Sequence, residues 1–209
     1  RGRALRRIFR CARWQWLQFS IVLGVSLVNA LRLLLRQRAS PVLAHDSSTE
    51  TDNGDLTLFV GFGARAEDKL FADFREAVAG KIIRVNQIDI ATMARLQHVG
   101  VISLCREVFS AFGNLREAMT SLPSVFDAYR LDWIVFAAKR LTTYAHAKAW
   151  FTALGKVTSV REACFLSPDT TAFAAIDAGT VCHFYQHGLL CQNVMLPAFD
   201  RVSAMTRYE

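Results

Sequence analysis

One histidine in this chain stands where the catalytic groups of α/β enzymes are commonly found. A mostly apolar run over residues 180–185 leads directly into Gln186-His187-Gly188. The run predicts a buried strand, and the glycine marks a turn at its end. An imidazole there can deprotonate a hydroxyl near neutral pH, and glycine lets a ligand approach the backbone. The pattern predicts His187 as a general base and Gln186 as a group that hydrogen-bonds the substrate. The alternative is a turn histidine with no chemical role.

The residues upstream of this histidine predict the elements that position it. Residues 163–166 predict a strand and residues 170–178 a mostly apolar helix. The helix signals are Ser167 as N-cap, Pro168 in the first turn, Asp169 as an early acid and Gly179 after the last turn. A right-handed crossover would make the two strands parallel, so Gln186 and His187 should emerge at the carboxyl edge of a sheet, where ligands bind.

A glycine motif follows the first strand that the sequence predicts, at residues 56–60. Gly61-Phe62-Gly63-Ala64-Arg65-Ala66 has the permissive spacing of a dinucleotide-binding turn before a helix at residues 66–79. Asp89 would have to hold the ribose, but it comes 26 residues after Gly63, later than the usual ~20. The turn therefore predicts a tight connection in which Gly61 and Gly63 approach a ligand. A dinucleotide-dependent oxidoreductase remains an alternative.

Length and composition predict one α/β domain behind a separate tail. The chain has 209 residues, of which 52% are hydrophobic, enough for a sizeable core. Further strands are predicted at residues 81–85 and 200–206, and residues 91–155 show helical patterns broken near Gly113 and at Pro123. The predicted organisation is an arginine-rich helical tail (residues 1–38), a polar linker (39–55) and a Rossmann-like parallel-sheet domain with a helix-rich middle (56–209).

The positive charge of the chain belongs to the tail. Residues 1–40 contain nine arginines and no acid, so the rest carries a net charge of −2 although the whole carries +7. The body therefore lacks the basic face that nucleic-acid binding requires. Residues 14–31 are uncharged, begin with two tryptophans and approach the length of a membrane span. Polar residues within the run and basic flanks favour an in-plane membrane anchor equally, and a helix packed on the body is the remaining alternative.

The cysteines indicate a reducing compartment rather than a disulfide framework. They are five in number, which is odd, and several lie in apolar runs. Cys182, His183, His187 and Cys191 are close enough in sequence to suggest zinc, but strand alternation sends Cys182 and His183 to opposite faces. Buried thiols are therefore expected, and no metal site and no cofactor are predicted.

Two stretches near the end of the chain resemble a segment of a known enzyme family. Residues 172–181 (AFAAIDAGTV) and 184–190 (FYQHGLL) are similar to bacterial surface-polysaccharide glycosyltransferases of the GT-B type, and residues 197–202 resemble the stretch that follows there. The resemblance covers residues 167–209. It implies that Gln186, His187 and Gly188 line the acceptor side of a cleft between two Rossmann-like domains. The related Trp-His-Gly segment of teichoic-acid polymerases suggests His187 as general base.

The resemblance also implies partners and a location. The donor would be a nucleotide sugar, bound mainly by a carboxyl-terminal domain that lies outside this sequence, so the chain alone is expected to be an inactive amino-terminal fragment. The acceptor would be a glycan or a lipid-linked saccharide at the cytoplasmic face of the inner membrane, reached through residues 1–38. A non-catalytic, membrane-associated interaction domain is the second alternative.

Overall fold

A computed structural model describes residues 15–38, 56–61, 66–78, 80–86, 93–94, 96–121, 130–186 and 198–204 of the chain. The principal helices are α1 (Gln15–Arg38), α2 (Ala66–Ala77), α3 (Val101–Ser121), α4 (Arg130–Val157) and α5 (Thr170–Asp177). The strands are β1 (Leu56–Gly61), β2 (Lys81–Asn86), β3 (Val160–Phe165), β4 (Cys182–Gln186) and β5 (Arg201–Ala204).

The strands form one all-parallel sheet in the order β2-β1-β3-β4-β5. The chain moves from β1 outward to β2, then returns to the other side of β1 for β3. The order therefore reverses between β1 and β3, as it does in doubly wound folds. The predicted α/β class with a Rossmann-like parallel sheet is confirmed.

The two faces of the sheet carry different side chains because neighbours along a strand alternate. Phe59, Cys164 and His183 are paired across β1, β3 and β4 and lie on one face, which we call the α2 face. There Phe71 and Phe74 of α2 contact Phe59, with ring centroids 5.2 and 5.3 Å apart.

The opposite face, which we call the α4 face, is apolar across the same three strands. Val60, Phe165 and Phe184 are paired on it. Phe151 of α4 packs against Phe165 with ring centroids 6.3 Å apart. Phe199, just before β5, stacks on Phe184 at 5.2 Å. With a core on this face and α2 on the other, every residue of β1 is buried.

The crossover from β3 to β4 follows the predicted pattern, with one correction at its start. The N-cap of α5 is Asp169 rather than Ser167, because the Asp169 carboxylate accepts hydrogen bonds from the backbone N–H groups of Thr171 and Ala172. Aspartate caps a helix as well as serine does, so the helix begins two residues later than Ser167 would allow. Gly179 follows the helix with φ of +78°, a conformation that favours glycine.

The described residues divide into two compact units. The helical unit comprises the described residues within Arg1–Leu34 and Gly100–His146. The sheet unit comprises the described residues within Leu35–Val99 and Ala147–Glu209. The predicted boundaries at residues 38 and 55 differ from this division, since residues 100–146 group with the tail rather than with the sheet. The linker, residues 39–55, lies outside the described residues.

Within the helical unit, α1 packs through small side chains. Val22 and Ala138 are buried together, and Phe112 of α3 joins them and meets Phe19 edge-to-face, with ring centroids 6.0 Å apart. The Ser26 hydroxyl donates a hydrogen bond of 3.4 Å to the carbonyl of Ala138 on α4. A small hydroxyl and an alanine methyl at this contact let the two helices approach closely.

Helix α3 is continuous where the sequence predicted a break. It runs through Gly113, so the break predicted near that residue is wrong. One exposed glycine in a helix costs only about 1 kcal/mol, and Phe112 and Leu115 on either side of it pack against the core of the helical unit. The break predicted at Pro123 lies outside the described residues.

Among the described residues, one helix, α1, is long and apolar enough to cross a membrane. The qualifying segment is Phe19–Arg38, with a mean hydropathy of 1.7 and 22% of the apolar window buried. Val22, Ser26 and Ala30 lie on its buried side. Val28, Leu31 and Leu35 lie on the opposite side and are 51, 57 and 58% exposed. The helix therefore combines a packed side with an uncovered apolar side.

His146 is a buried histidine near the middle of α4 whose ring must stay neutral. Its Nε2 atom has no hydrogen-bond partner among the described residues. Burial lowers the pKa of His146 to about 4, because a charged imidazolium would lose its hydration there.

The free energy of unfolding should decrease as the pH is lowered, because His146 is buried in its neutral form. In the unfolded chain His146 binds a proton near pH 6.5, whereas in the folded chain it does so only near pH 4. Its stabilising contribution is therefore present above pH 6.5 and lost as the pH falls toward 4, by up to about 3 kcal/mol. Urea unfolding followed by circular dichroism at several pH values measures the slope.

A variant with Leu at position 146 isolates this effect. His146→Leu should reduce the slope between pH 6.5 and 4, while His183, whose pKa burial also lowers, contributes to the slope that remains. His98→Leu, at a half-buried position outside the principal helices, is the matched control for the loss of a histidine. An unchanged slope in His146→Leu would contradict this explanation.

Candidate functional site

All five strands end at one edge of the sheet, because they are parallel. Val60, Phe165 and Phe184 are level across β1, β3 and β4, so Gly61 is level with the residue before Gln186. The two strands are separated by β3, which puts their ends about 10 Å apart. The structure thus brings Gly61 and Gln186, two of the predicted site residues, to the same edge.

The other predicted site residues are outside the part of the chain that the structure describes. These are Gly63, His187 and Gly188, and Asp89 of the dinucleotide alternative is outside it as well. Gln186 is the last residue of β4, and His187 is the next residue in the sequence. The point where the strand order reverses lies between the ends of β1 and β3, next to β4. Open α/β sheets bind ligands in the crevice at this point.

Gly61 meets a buried carboxylate at the end of β1. A Cβ atom built on Gly61 would lie 2.5 Å from Oε2 of Glu67, so the glycine leaves the space that this side chain fills. Glu67 is in the first turn of α2 and only 4% exposed. Arg84 of β2 contacts it at 3.5 Å and forms a hydrogen bond of 2.5 Å with the neighbouring Asp68.

The helix N-termini at this edge carry acids. Glu67 and Asp68 lie in the first turn of α2, and the Asp169 carboxylate already accepts two backbone N–H groups of α5. A dinucleotide requires free N–H groups at the first of these ends to bind its pyrophosphate. Arg84 offsets one of the two acids of α2, and with Asp169 the described charges remain negative in balance, which disfavours an anionic ligand here.

A cluster of three polar side chains lies on the α2 face, and the sequence analysis did not predict it. Cys164 pairs with His183 on the neighbouring strand, and Glu162 is two residues before Cys164 on the same face. One ligand atom from each of the three residues lies within 4.8 Å of the others. Nε2 of His183 is 2.9 Å from the hydroxyl oxygen of Ser203 on β5, which fixes the orientation of the ring.

Burial controls the charge of these groups. It raises the pKa of the Cys164 thiol, and the Glu162 carboxylate raises it further. It lowers the pKa of His183, although Glu162 opposes this effect while Arg201 reinforces it. Burial also raises the pKa of Tyr185, whose ring lies 4.4 Å from the ring of His183. The thiol and the imidazole are thus both neutral at pH 7.

The zinc ligands considered from the sequence are not brought together among the described residues. Cys182 points to the α4 face, opposite to His183, and its sulfur donates a hydrogen bond of 3.2 Å to the carbonyl of Thr180. Burial raises the pKa of Cys182 to about 12, and Asp200 contributes. The alternation argument against this set therefore holds. Finding Glu162 and Cys164 required the pairing of β3 with β4, since both strands were predicted but not their register.

The fold defines an α/β protein with a Rossmann-like, all-parallel sheet. Comparison of the chain with protein-family models, curated proteins and solved structures gave no match.

Replacing Gly61 by alanine should displace the Glu67 carboxylate. The new methyl group would lie 2.5 Å from Oε2, but a glutamate can rotate away, so the expected cost is about 1 kcal/mol of unfolding free energy. Urea unfolding of Gly61→Ala, Glu67→Ala and the double variant forms a double-mutant cycle. In the Glu67→Ala background, Gly61→Ala should cost nothing. Equal costs in both backgrounds would refute the contact.

Proposed function

We propose that this chain is the acceptor-binding half of a membrane-associated glycosyltransferase in which His187 is the general base. The observation that carries the proposal is that β4 ends with Gln186 at the carboxyl edge of an all-parallel sheet, one strand away from the point where the strand order reverses. His187 and Gly188 come next in the sequence, outside the described residues. The resemblance to surface-polysaccharide glycosyltransferases covers the same residues.

In the proposed reaction, the imidazole of His187 takes the proton of an acceptor hydroxyl. The oxygen then attacks the anomeric carbon of the donor sugar, and a new glycosidic C–O bond forms. The bond from this carbon to the nucleoside diphosphate breaks, and its electron pair leaves with the diphosphate. A second domain would bind the nucleotide sugar, and Gln186, Gly61, Gly63 and Gly188 would line the acceptor side.

The charges at the carboxyl edge support an acceptor role rather than a donor role. Glu67 and Asp68 at the start of α2, and Asp169 at the start of α5, are acids. Asp68 is exposed and can accept a hydrogen bond from a sugar hydroxyl, while the cation Arg84 is already paired with Glu67 and Asp68. A diphosphate requires cations or free backbone N–H groups. An edge of this kind suits a neutral saccharide, and the diphosphate would be bound elsewhere.

The exposed side of α1 supports contact with a membrane, which in the proposed function is the cytoplasmic face of the inner membrane. Val28, Leu31 and Leu35 form an uncovered apolar stripe, while Arg32 and Arg36 are also exposed and can meet anionic headgroups. On the packed side, Ser26 bonds to a backbone carbonyl of α4, a contact typical of helices that associate in lipid. Both features suit a lipid-linked acceptor.

Replacing Leu31 by aspartate should weaken membrane binding, because a carboxylate would enter the lipid boundary. In flotation with vesicles of phosphatidylethanolamine and phosphatidylglycerol, the full chain should float and Leu31→Asp should bind at least ~10-fold more weakly. Ser110→Asp, at an exposed position of α3, adds the same charge outside the stripe and should float as before. Equal flotation of the two variants would exclude α1 as the contact.

Replacing His187 should slow sugar transfer strongly without weakening donor binding. In a protein that joins this chain to its donor domain, His187→Ala should lower kcat by ~10²–10⁴-fold, the usual contribution of a general base. His187→Asn keeps a hydrogen-bonding side chain but accepts no proton, so it should lose as much. Radiolabelled sugar transfer and thermal shift with a panel of nucleotide sugars measure the two properties.

The same panel separates the alternatives. Unchanged transfer in both His187 variants would remove the general-base role. A thermal shift with NAD or NADP and none with nucleotide sugars would favour the oxidoreductase. No shift with either class and no effect of the variants would favour the non-catalytic interaction domain.

A further inference from the structure

The three side chains Glu162, Cys164 and His183 converge in a way that strand geometry explains. Residues two apart on a strand point to the same face, which aligns Glu162 with Cys164. His183 is the direct neighbour of Cys164 on the parallel strand β4. Ligand atoms from these three residues lie within 4.8 Å of one another. In a tetrahedral zinc site, metal–ligand distances of about 2.0–2.3 Å put the ligands about 3.3–3.8 Å apart, so small side-chain rotations suffice.

We propose that Glu162, Cys164 and His183 bind one zinc ion on the α2 face of the sheet. The proposal does not rest on the glycosyltransferase function, because these residues lie within the sheet and not in the segment around His187.

The chemistry of the ligands selects the metal. A thiolate, an imidazole and a carboxylate together suit a borderline-soft ion such as Zn²⁺ rather than Mg²⁺ or Ca²⁺, which prefer oxygen ligands alone. When zinc binds, the Cys164 thiol releases its proton to solvent and the thiolate sulfur coordinates the ion. The thiolate and the Glu162 carboxylate then balance the two positive charges of the ion, so the buried site becomes neutral.

The residues around the site hold the ligands in place. The Ser203 hydroxyl orients the ring of His183 from the next strand, β5, and such second partners of a ligating histidine strengthen metal binding. Cys164 is 1% exposed, whereas Glu162 and Ser203 are half-buried and Arg201 is exposed. The ion can therefore enter from the side of Glu162. Three protein ligands leave a fourth position for water.

The test is metal binding to the full chain, purified in mild detergent and treated with a chelator. Equilibrium dialysis against ZnCl₂ with elemental analysis should give about one zinc per chain. Cobalt(II) in the same site should show a thiolate-to-metal charge-transfer band in the near ultraviolet and the intense visible bands of a tetrahedral ion. Cys164→Ala should lose the charge-transfer band, and Glu162→Gln should bind at least ~10-fold more weakly.

The chain offers a matched control for the loss of a buried thiol. Cys182→Ala removes a cysteine of the neighbouring strand that points to the α4 face, and it should keep both the stoichiometry and the charge-transfer band. Glu162 is half-buried, so Glu162→Gln is expected to fold, which circular dichroism of the metal-free protein verifies. A chain without bound zinc would overturn the proposal, as would binding that persists unchanged in Cys164→Ala and Glu162→Gln.

Discussion

The register of β3 between β1 and β4 is the constraint on which both candidate sites depend. Phe165 fixes this register, because its ring packs against Phe151 and Phe199 on the α4 face, each with centroids 6.3 Å away. A slip by one residue would turn every side chain of β3 to the opposite face. Phe165 would leave its core, and Glu162 and Cys164 would leave the α2 face. An apolar core on one side of the sheet thus holds a polar group on the other.

Strand β4 serves the two sites in different ways along its length. His183 lies on the α2 face and Phe184 in the core of the α4 face, while Gln186 ends the strand at the carboxyl edge. Phe184 stacks on Phe199, and Tyr185 meets Phe74 of α2 edge-to-face, with centroids 5.5 Å apart. Because side chains on both faces anchor the strand, β4 is held firmly up to its last residue, Gln186.

Most of the sheet could be predicted from the sequence, because its signals are local. Short, mostly apolar runs predicted β1 through β4 within a few residues of their observed bounds, and Gly179 follows α5 as expected. The N-cap was wrong because Ser167 and Asp169 are equally suitable caps. The meeting of Glu162 with His183 depends on a pairing between distant strands, which no local pattern encodes. The grouping of residues 100–146 with α1 is non-local for the same reason.

The distribution of charge decides which ligands each part of the chain can attract. Parallel α/β sheets commonly bind phosphates at helix N-termini, but here Glu67 and Asp68 lie at one of them and Asp169 caps another. The nine arginines of residues 1–40 hold much of the positive charge, and the remainder of the chain carries −2. We therefore expect anionic ligands such as lipid headgroups to be drawn to the tail. At the start of α2 the cation Arg84 is paired with both acids, so the described charges at the carboxyl edge leave a negative balance that disfavours a nucleoside diphosphate there.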